Sequence, residues 1–143
     1  MTTKEFQLDA EALLSQIING HGFLHYGYWE DERADEFTLS RVGRAQQDYF
    51  DRLHRSLPPE TASILDVGSG TGSNAAALLR LGYAVSCVCP SARLNAIARK
   101  KLPAGTVVHE CGFEALDIQD SFDTLLFAES FHYIDTEKSA SPY

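Results

Sequence analysis

Gly68, Gly70 and Gly72 stand at alternate positions directly after the apolar run Ser63-Ile64-Leu65-Asp66-Val67. No other stretch limits the fold as strongly. Ile64, Leu65 and Val67 have the composition of a strand buried in a parallel sheet. The glycines mark a turn where the backbone bends tightly and lets a ligand approach, which a Cβ would block. Residues 73–81 read as a helix whose free N–H groups face that turn. Strand, glycine turn and helix together form a nucleotide-type binding unit, or, more plainly, a strand–turn–helix without a ligand.

The spacing narrows the ligand. A G-x-G-x-x-G dinucleotide fingerprint requires glycine at position 73, where Ser73 stands, and no lysine follows in P-loop register. Asp66, at the carboxyl end of the strand, repels a pyrophosphate and attracts an ammonium group. S-adenosyl-L-methionine, with adenosine, no phosphate and a methionine ammonium, fits these constraints. Asp66-x-Gly68-x-Gly70-x-Gly72 after an apolar strand resembles motif I of the class I S-adenosylmethionine-dependent methyltransferases. The resemblance implies an α/β, Rossmann-like parallel sheet, of which this chain supplies the strand order 3-2-1-4 with N-terminal helices. It assigns cofactor contacts to Asp66, Gly68, Ser69 and Gly70, with S-adenosyl-L-homocysteine as product.

Upstream, residues 8–19 are expected to form a first helix, stopped at Asn19-Gly20. The segment His21-Gly22-Phe23-Leu24-His25-Tyr26-Gly27-Tyr28-Trp29-Glu30 has neither strand nor helix period and reads as an ordered loop. It resembles the H-x-G-Y-W segment of small-molecule methyltransferases, which implies closure over the cofactor. Tyr26, Tyr28 and Trp29 then offer ring faces to the sulfonium cation; the competing reading is an aromatic cluster that only packs. A second helix is expected over 39–57, with Leu39, Val42, Tyr49, Phe50, Leu53 and Leu57 near one face and Pro58-Pro59 as its stop. The organisation expected is a helical cap at 1–57 and a cofactor-binding core at 58–143.

After the glycine unit, a second strand is predicted at 84–88 and a helix from Ala92 to about Lys101, capped by Ser91. The resemblance expects an acid for the ribose hydroxyls at the end of that strand, where Cys89-Pro90 stands. A third strand is expected at 106–110. In the following Cys111-Gly112-Phe113-Glu114-Ala115-Leu116, Gly112 replaces the aspartate that meets the adenine amino group in the family, and Phe113 is placed against the adenine ring. A fourth strand with its lead-in spans 121–128. Glu129-Ser130-Phe131-His132 then resembles motif IV, which puts His132 at the methyl-transfer site as a general base and Glu129, the other polar group at this strand end, among the cofactor contacts; the alternatives are a histidine that packs at the start of the next helix and a glutamate that only pairs. Cys87-x-Cys89 and His109-x-Cys111 pair on one strand face each, but structural zinc prefers ligands on turns, so these are expected to be core or rim thiols with no metal.

A net charge of −8 excludes a surface built for nucleic acid or anionic lipid and points to a small-molecule substrate. With no signal-like segment, no span-length apolar run and only three cysteines, a cytoplasmic setting is expected. Residues 136–143 are polar and too short for the remaining family strands. The fourth strand is therefore expected to present an open edge. A shortened piece of a longer protein, two copies completing each other and a naturally short relative all account for this; a homo-oligomer through that edge is the preferred expectation. Two functional readings follow. One is a methyltransferase acting on an O, N or C nucleophile of a small molecule. The other is a non-catalytic module of the same fold that binds the cofactor weakly or serves assembly. A nicotinamide dehydrogenase is a distant third, because of Asp66 and Ser73.

Overall fold

The glycine turn works as a hinge between strand and helix because three successive alternate residues take left-handed backbone: φ is +76° at Gly68, +55° at Gly70 and +74° at Gly72. The structure is a computed structural model that describes residues 22–29 and 38–134. The chain divides into two compact units, Met1–Leu57 and Pro58–Tyr143. The helix expected at 8–19 lies outside the described residues, as do 30–37 and 135–143.

In the first unit, α1 spans Leu39–Arg55 and is capped by Thr38, whose hydroxyl accepts from the Arg41 N–H at 3.4 Å. It stops two residues before the expected end. Leu57 precedes Pro58, whose ring disfavours helical backbone at the residue before it, and Ser56 instead folds its N–H back onto Arg52. The buried stripe is Ala45, Gln46 and Phe50, whereas Leu39, expected on the apolar face, is exposed in the first turn.

In the second unit the order is β1 (Ser63–Val67), α2 (Ser73–Arg80), β2 (Ala84–Val88), α3 (Ala92–Lys101), β3 (Val108–His109) and β4 (Thr124–Leu126). All four strands are parallel, in the order β3-β2-β1-β4. This is the Rossmann-like arrangement that the glycine unit implied. The two central strands carry the apolar residues and match the sequence reading closely. The flanking strands are shorter than expected. Thr106 is tied into a turn, its N–H and hydroxyl both donating to the Pro103 carbonyl, so β3 begins only at Val108. Ser91 caps α3 as expected, accepting from the Leu94 N–H at 3.3 Å.

Strand alternation sorts the sheet's side chains onto two faces. Leu65, Val67 and Val88 face one way and pack with Phe113, Phe122, Phe127 and Ile134. The register pairs Ile64↔Val85 and Asp66↔Cys87 face the other way. β4 is fastened to β1 by Asp123, whose Oδ2 accepts from the N–H groups of Ala62 and Ser63 at 3.0 and 2.8 Å and from the Ser63 hydroxyl at 2.9 Å. These bonds hold the Asp123 carboxyl below the usual range. Among the described residues no helix is long and apolar enough to cross a membrane.

Candidate functional site

At the carboxyl end of β1 the chain buries a carboxylate. Asp66 is 1% exposed, and its Oδ2 has no hydrogen-bond partner among the described residues. Burial alone pushes its pKa up to about 7. A carboxylate taken out of water without a partner is costly, and folded proteins seldom retain one without a use. The turn beyond it is fixed from two sides. The N–H groups of Gly68 and Ser69 donate to the Val88 carbonyl at 2.8 and 3.3 Å, and the Gly72 N–H donates to Ser69 at 2.9 Å. On the far side, the Ser130 hydroxyl donates to the Val67 carbonyl. A Cβ at Gly68 would lie 2.4 Å from the Ser130 Cβ, so glycine is required there for space as well as for φ.

Ser130 was not singled out by the sequence. Its role depends on a contact across 63 positions, and the local signal was only a small polar residue after a strand. Glu129 immediately before it takes left-handed backbone at φ +59°, uncommon for a non-glycine and a mark of a constrained turn. Glu129 is half-buried. His132 is exposed on the single turn Phe131–Tyr133, its ring centroid 3.8 Å from that of Tyr133.

Cys89 is buried just past β2. Its carbonyl accepts from Asn95 Nδ2 at 2.9 Å, and its N–H donates to His109 at 3.1 Å. Burial pushes the thiol pKa up; hydrogen bonds from the Ser91 and Gly70 backbone pull it down, and the Asp66 and Glu110 carboxylates add to the rise. The thiol therefore sits within the field of both acids, beside the glycine turn. Cys87 is also buried, opposite Asp66 in the register, with its pKa pushed up to about 12, by burial first and by the Asp66 charge second. Among the described residues no group of three metal-binding side chains converges. Pro90 is exposed at the turn. Gly112 is extended, and Phe113 packs edge-on against Phe127 at 5.5 Å in the cluster on the opposite sheet face from Asp66.

The aromatic loop belongs to the first unit, where it is anchored to α1. Gln46 Nε2 donates to the carbonyls of Phe23 and His25 at 3.1 and 2.9 Å, and the Tyr28 N–H donates to Ala45 at 2.8 Å. Gly27, at φ +89°, brings the loop so close that a Cβ would lie 2.8 Å from the Ala45 carbonyl carbon. Phe23 stacks on Phe50 at 5.9 Å, and His25 lies 4.3 Å from the Tyr49 ring. Neither ring nitrogen of His25 has a partner among the described residues, and burial draws its pKa down to about 4. The three candidate aromatics differ in availability. Arg52 already covers Tyr28, its guanidinium carbon 4.3 Å from the ring centroid. The Trp29 indole N–H donates to the Tyr26 carbonyl at 3.1 Å. Tyr26 itself is 80% exposed. Replacing Gln46 with leucine is expected to strand two buried carbonyls and to destabilise this anchor by about 2–4 kcal/mol. The check is amide exchange at Tyr28, which should speed up while exchange in β1 and β2 stays unchanged.

The profile of the methyltransferase domain family matches residues 65–141, over half of the chain. The chain is 34% identical over 76 residues to an uncharacterized methyltransferase of Bacillus cytotoxicus, a match covering 53% of this chain and 36% of the relative. It is similar to the solved sugar N-methyltransferase of a Streptoalloteichus species at 28% identity and a TM-score of 0.52, over 78% of this chain and 48% of that one. With geranyl diphosphate C-methyltransferase of Streptomyces coelicolor, solved with S-adenosyl-L-homocysteine, it shares the fold, at a TM-score of 0.60 and 16% identity over 82% of this chain and 51% of that one. The chain spans between about a third and a half of the length of the curated relatives it matches.

Proposed function

The chain belongs to the methyltransferase domain family, of the class I S-adenosylmethionine-dependent type, and on that premise we propose that it binds S-adenosyl-L-methionine at the carboxyl end of β1 and takes part in methylating a small molecule. The observation that carries this reading is the Asp66 carboxylate, buried with an unpartnered Oδ2 beside a turn of three left-handed glycines. An ammonium group is the complement such an oxygen lacks, so the residues present fit the cofactor.

In this reading Asp66 takes the methionine ammonium, and Gly68, Ser69 and Gly70 let the backbone come close to the ligand. When bound, the cofactor supplies a methyl group on a positively charged sulfur. The chain's own task is mainly positional, holding the acceptor in line with that methyl group. His132, exposed after β4, is the proposed general base for an O–H or N–H nucleophile. From the aromatic loop, Tyr26, Tyr28 and Trp29 are the proposed ring faces for a cationic ligand. Phe113 and Gly112 are proposed for the adenine side. The sugar substrate named for the Streptoalloteichus enzyme supports a small hydroxylated or amino acceptor. A cofactor-binding core at 58–143, preceded by the separate unit 1–57, and a cytoplasmic setting belong to the same proposal.

Cys89 favours a second reading, because a buried thiol stands where the family places a carboxylate. That reading is a fold relative that holds the cofactor weakly and does not turn it over. Calorimetric titration with S-adenosyl-L-methionine and S-adenosyl-L-homocysteine separates the two, with the mass of the species recorded on the same sample. Micromolar affinity is expected. Absence of heat at millimolar ligand would overturn the cofactor assignment.

A further inference from the structure

The acid missing from β2 has a substitute one strand away. We infer that Glu110, at the end of β3, provides the carboxylate for the ribose hydroxyls in place of the residue replaced by Cys89. This rests on the cofactor reading above.

The register carries the argument. Cys87 pairs with Val108 and Val88 with His109, so the next step sets Cys89 beside Glu110. The Cys89 N–H confirms that continuation by donating to His109 at 3.1 Å. Paired residues of parallel strands point to the same face, and residues two apart along a strand share it. Asp66, Cys87, Cys89 and Glu110 therefore project from one side of the sheet, in the order of strands β1, β2 and β3. The Cys89 thiol lies between two carboxylates and responds to both.

Glu110 is also oriented from α3. Its Oε2 accepts from Arg99 Nη1 at 3.0 Å and lies 3.5 Å from Asn95 Nδ2. Asn95 is fully buried, and the same Nδ2 donates to the Cys89 carbonyl at 2.9 Å. Arg99 Nη2 donates to the Val108 carbonyl, fixing the guanidinium against β3. An exposed ion pair of this kind adds little stability. Its effect is directional: Oε2 is held, and Oε1 has no hydrogen bond among the described residues and stays available. A glutamate has one more methylene than an aspartate, which adds reach from the neighbouring strand. The unpartnered Asp66 Oδ2 on the same face is an independent sign of a ligand at this carboxyl end of the sheet. A ribose diol accepted by Glu110 lies next to Cys89, whose small thiol leaves room for it.

The test uses the full chain and two probes, S-adenosyl-L-homocysteine and its 2′,3′-dideoxyribose analogue, titrated calorimetrically into the wild type and Glu110→Gln. If Glu110 receives the diol, Glu110→Gln loses about tenfold in affinity for S-adenosyl-L-homocysteine, as expected for one charge-assisted hydrogen bond. It binds the dideoxy analogue as the wild type does. Equal losses for both probes, or no loss for either, would overturn the assignment while leaving the cofactor site in place. Failure of the wild type to bind either probe would overturn the cofactor reading and this inference with it.

Discussion

Asp66→Asn is expected to weaken S-adenosyl-L-methionine binding by about 100-fold, the loss of a charge-assisted contact worth about 3 kcal/mol. It should also remove a pH dependence that the wild type shows in two opposite senses. The Asp66 pKa is raised by burial from 3.8 to about 7 in the folded chain. Between those values the folded state keeps a proton that the unfolded state has released. Stability therefore falls as pH rises through this window, and the loss is complete above pH 7, at up to about 4 kcal/mol. Binding runs the other way. An ammonium ligand requires the ionised carboxylate, so affinity rises with pH up to about 7 and then levels off. Denaturant melts at pH 5 and pH 8, with titrations at pH 6 and pH 8, test both halves. His25, drawn down to about 4 by burial, adds a rise in stability with pH that both chains share. The variant should therefore differ from the wild type by a stability margin that widens from pH 5 to pH 8, and its affinity should lose the rise that Asp66 causes. A variant that binds as tightly as the wild type, or keeps its pH slopes, would remove Asp66 from the site.

The same residue shows what the sequence could and could not reveal. Its place between an apolar strand and the glycines was legible, because strand burial and left-handed turns each demand particular residue types over a few positions. β2 and α3 were legible for the same reason: Ser91 after Pro90 is a local cap signal, and the structure uses it. The short edge strands were not. Val108–His109 and Thr124–Leu126 are bounded by contacts made elsewhere, the Pro103 turn in one case and the Asp123 bonds to Ser63 in the other. Gln46 was invisible as a core residue because a polar side chain in an amphipathic helix is ordinarily solvated. It is buried here only because two loop carbonyls meet its amide. Glu110 was read only as the last residue of a strand, since its neighbour Cys89 lies on another strand and its orienting residues lie on α3.

That distinction between local and long-range determinants is sharpest at Gly68. Its φ of +76° was readable from glycine spacing, but the space that glycine leaves is filled by Ser130, 62 positions away. Gly68→Ala is expected to cost about 3 kcal/mol. Left-handed backbone at a residue with a Cβ contributes about 1 kcal/mol of this. The rest comes from displacing Ser130 and breaking its bond to the Val67 carbonyl, which leaves a buried acceptor unpaired. Ser130→Gly alone loses the hydrogen bond without a clash, at about 1–2 kcal/mol. In the double variant the clash is gone, so only the backbone strain and the hydrogen bond remain. The double variant is therefore expected to be no less stable than Gly68→Ala alone, a coupling of 1 kcal/mol or more in the cycle. Additive losses would show that Ser130 yields freely and that the turn is held by the Val88 carbonyl alone. A large coupling would mean that the ligand-side turn of β1 and the turn after β4, which carries Glu129 and His132, move as one unit, so that a change at the proposed base is felt at the cofactor turn.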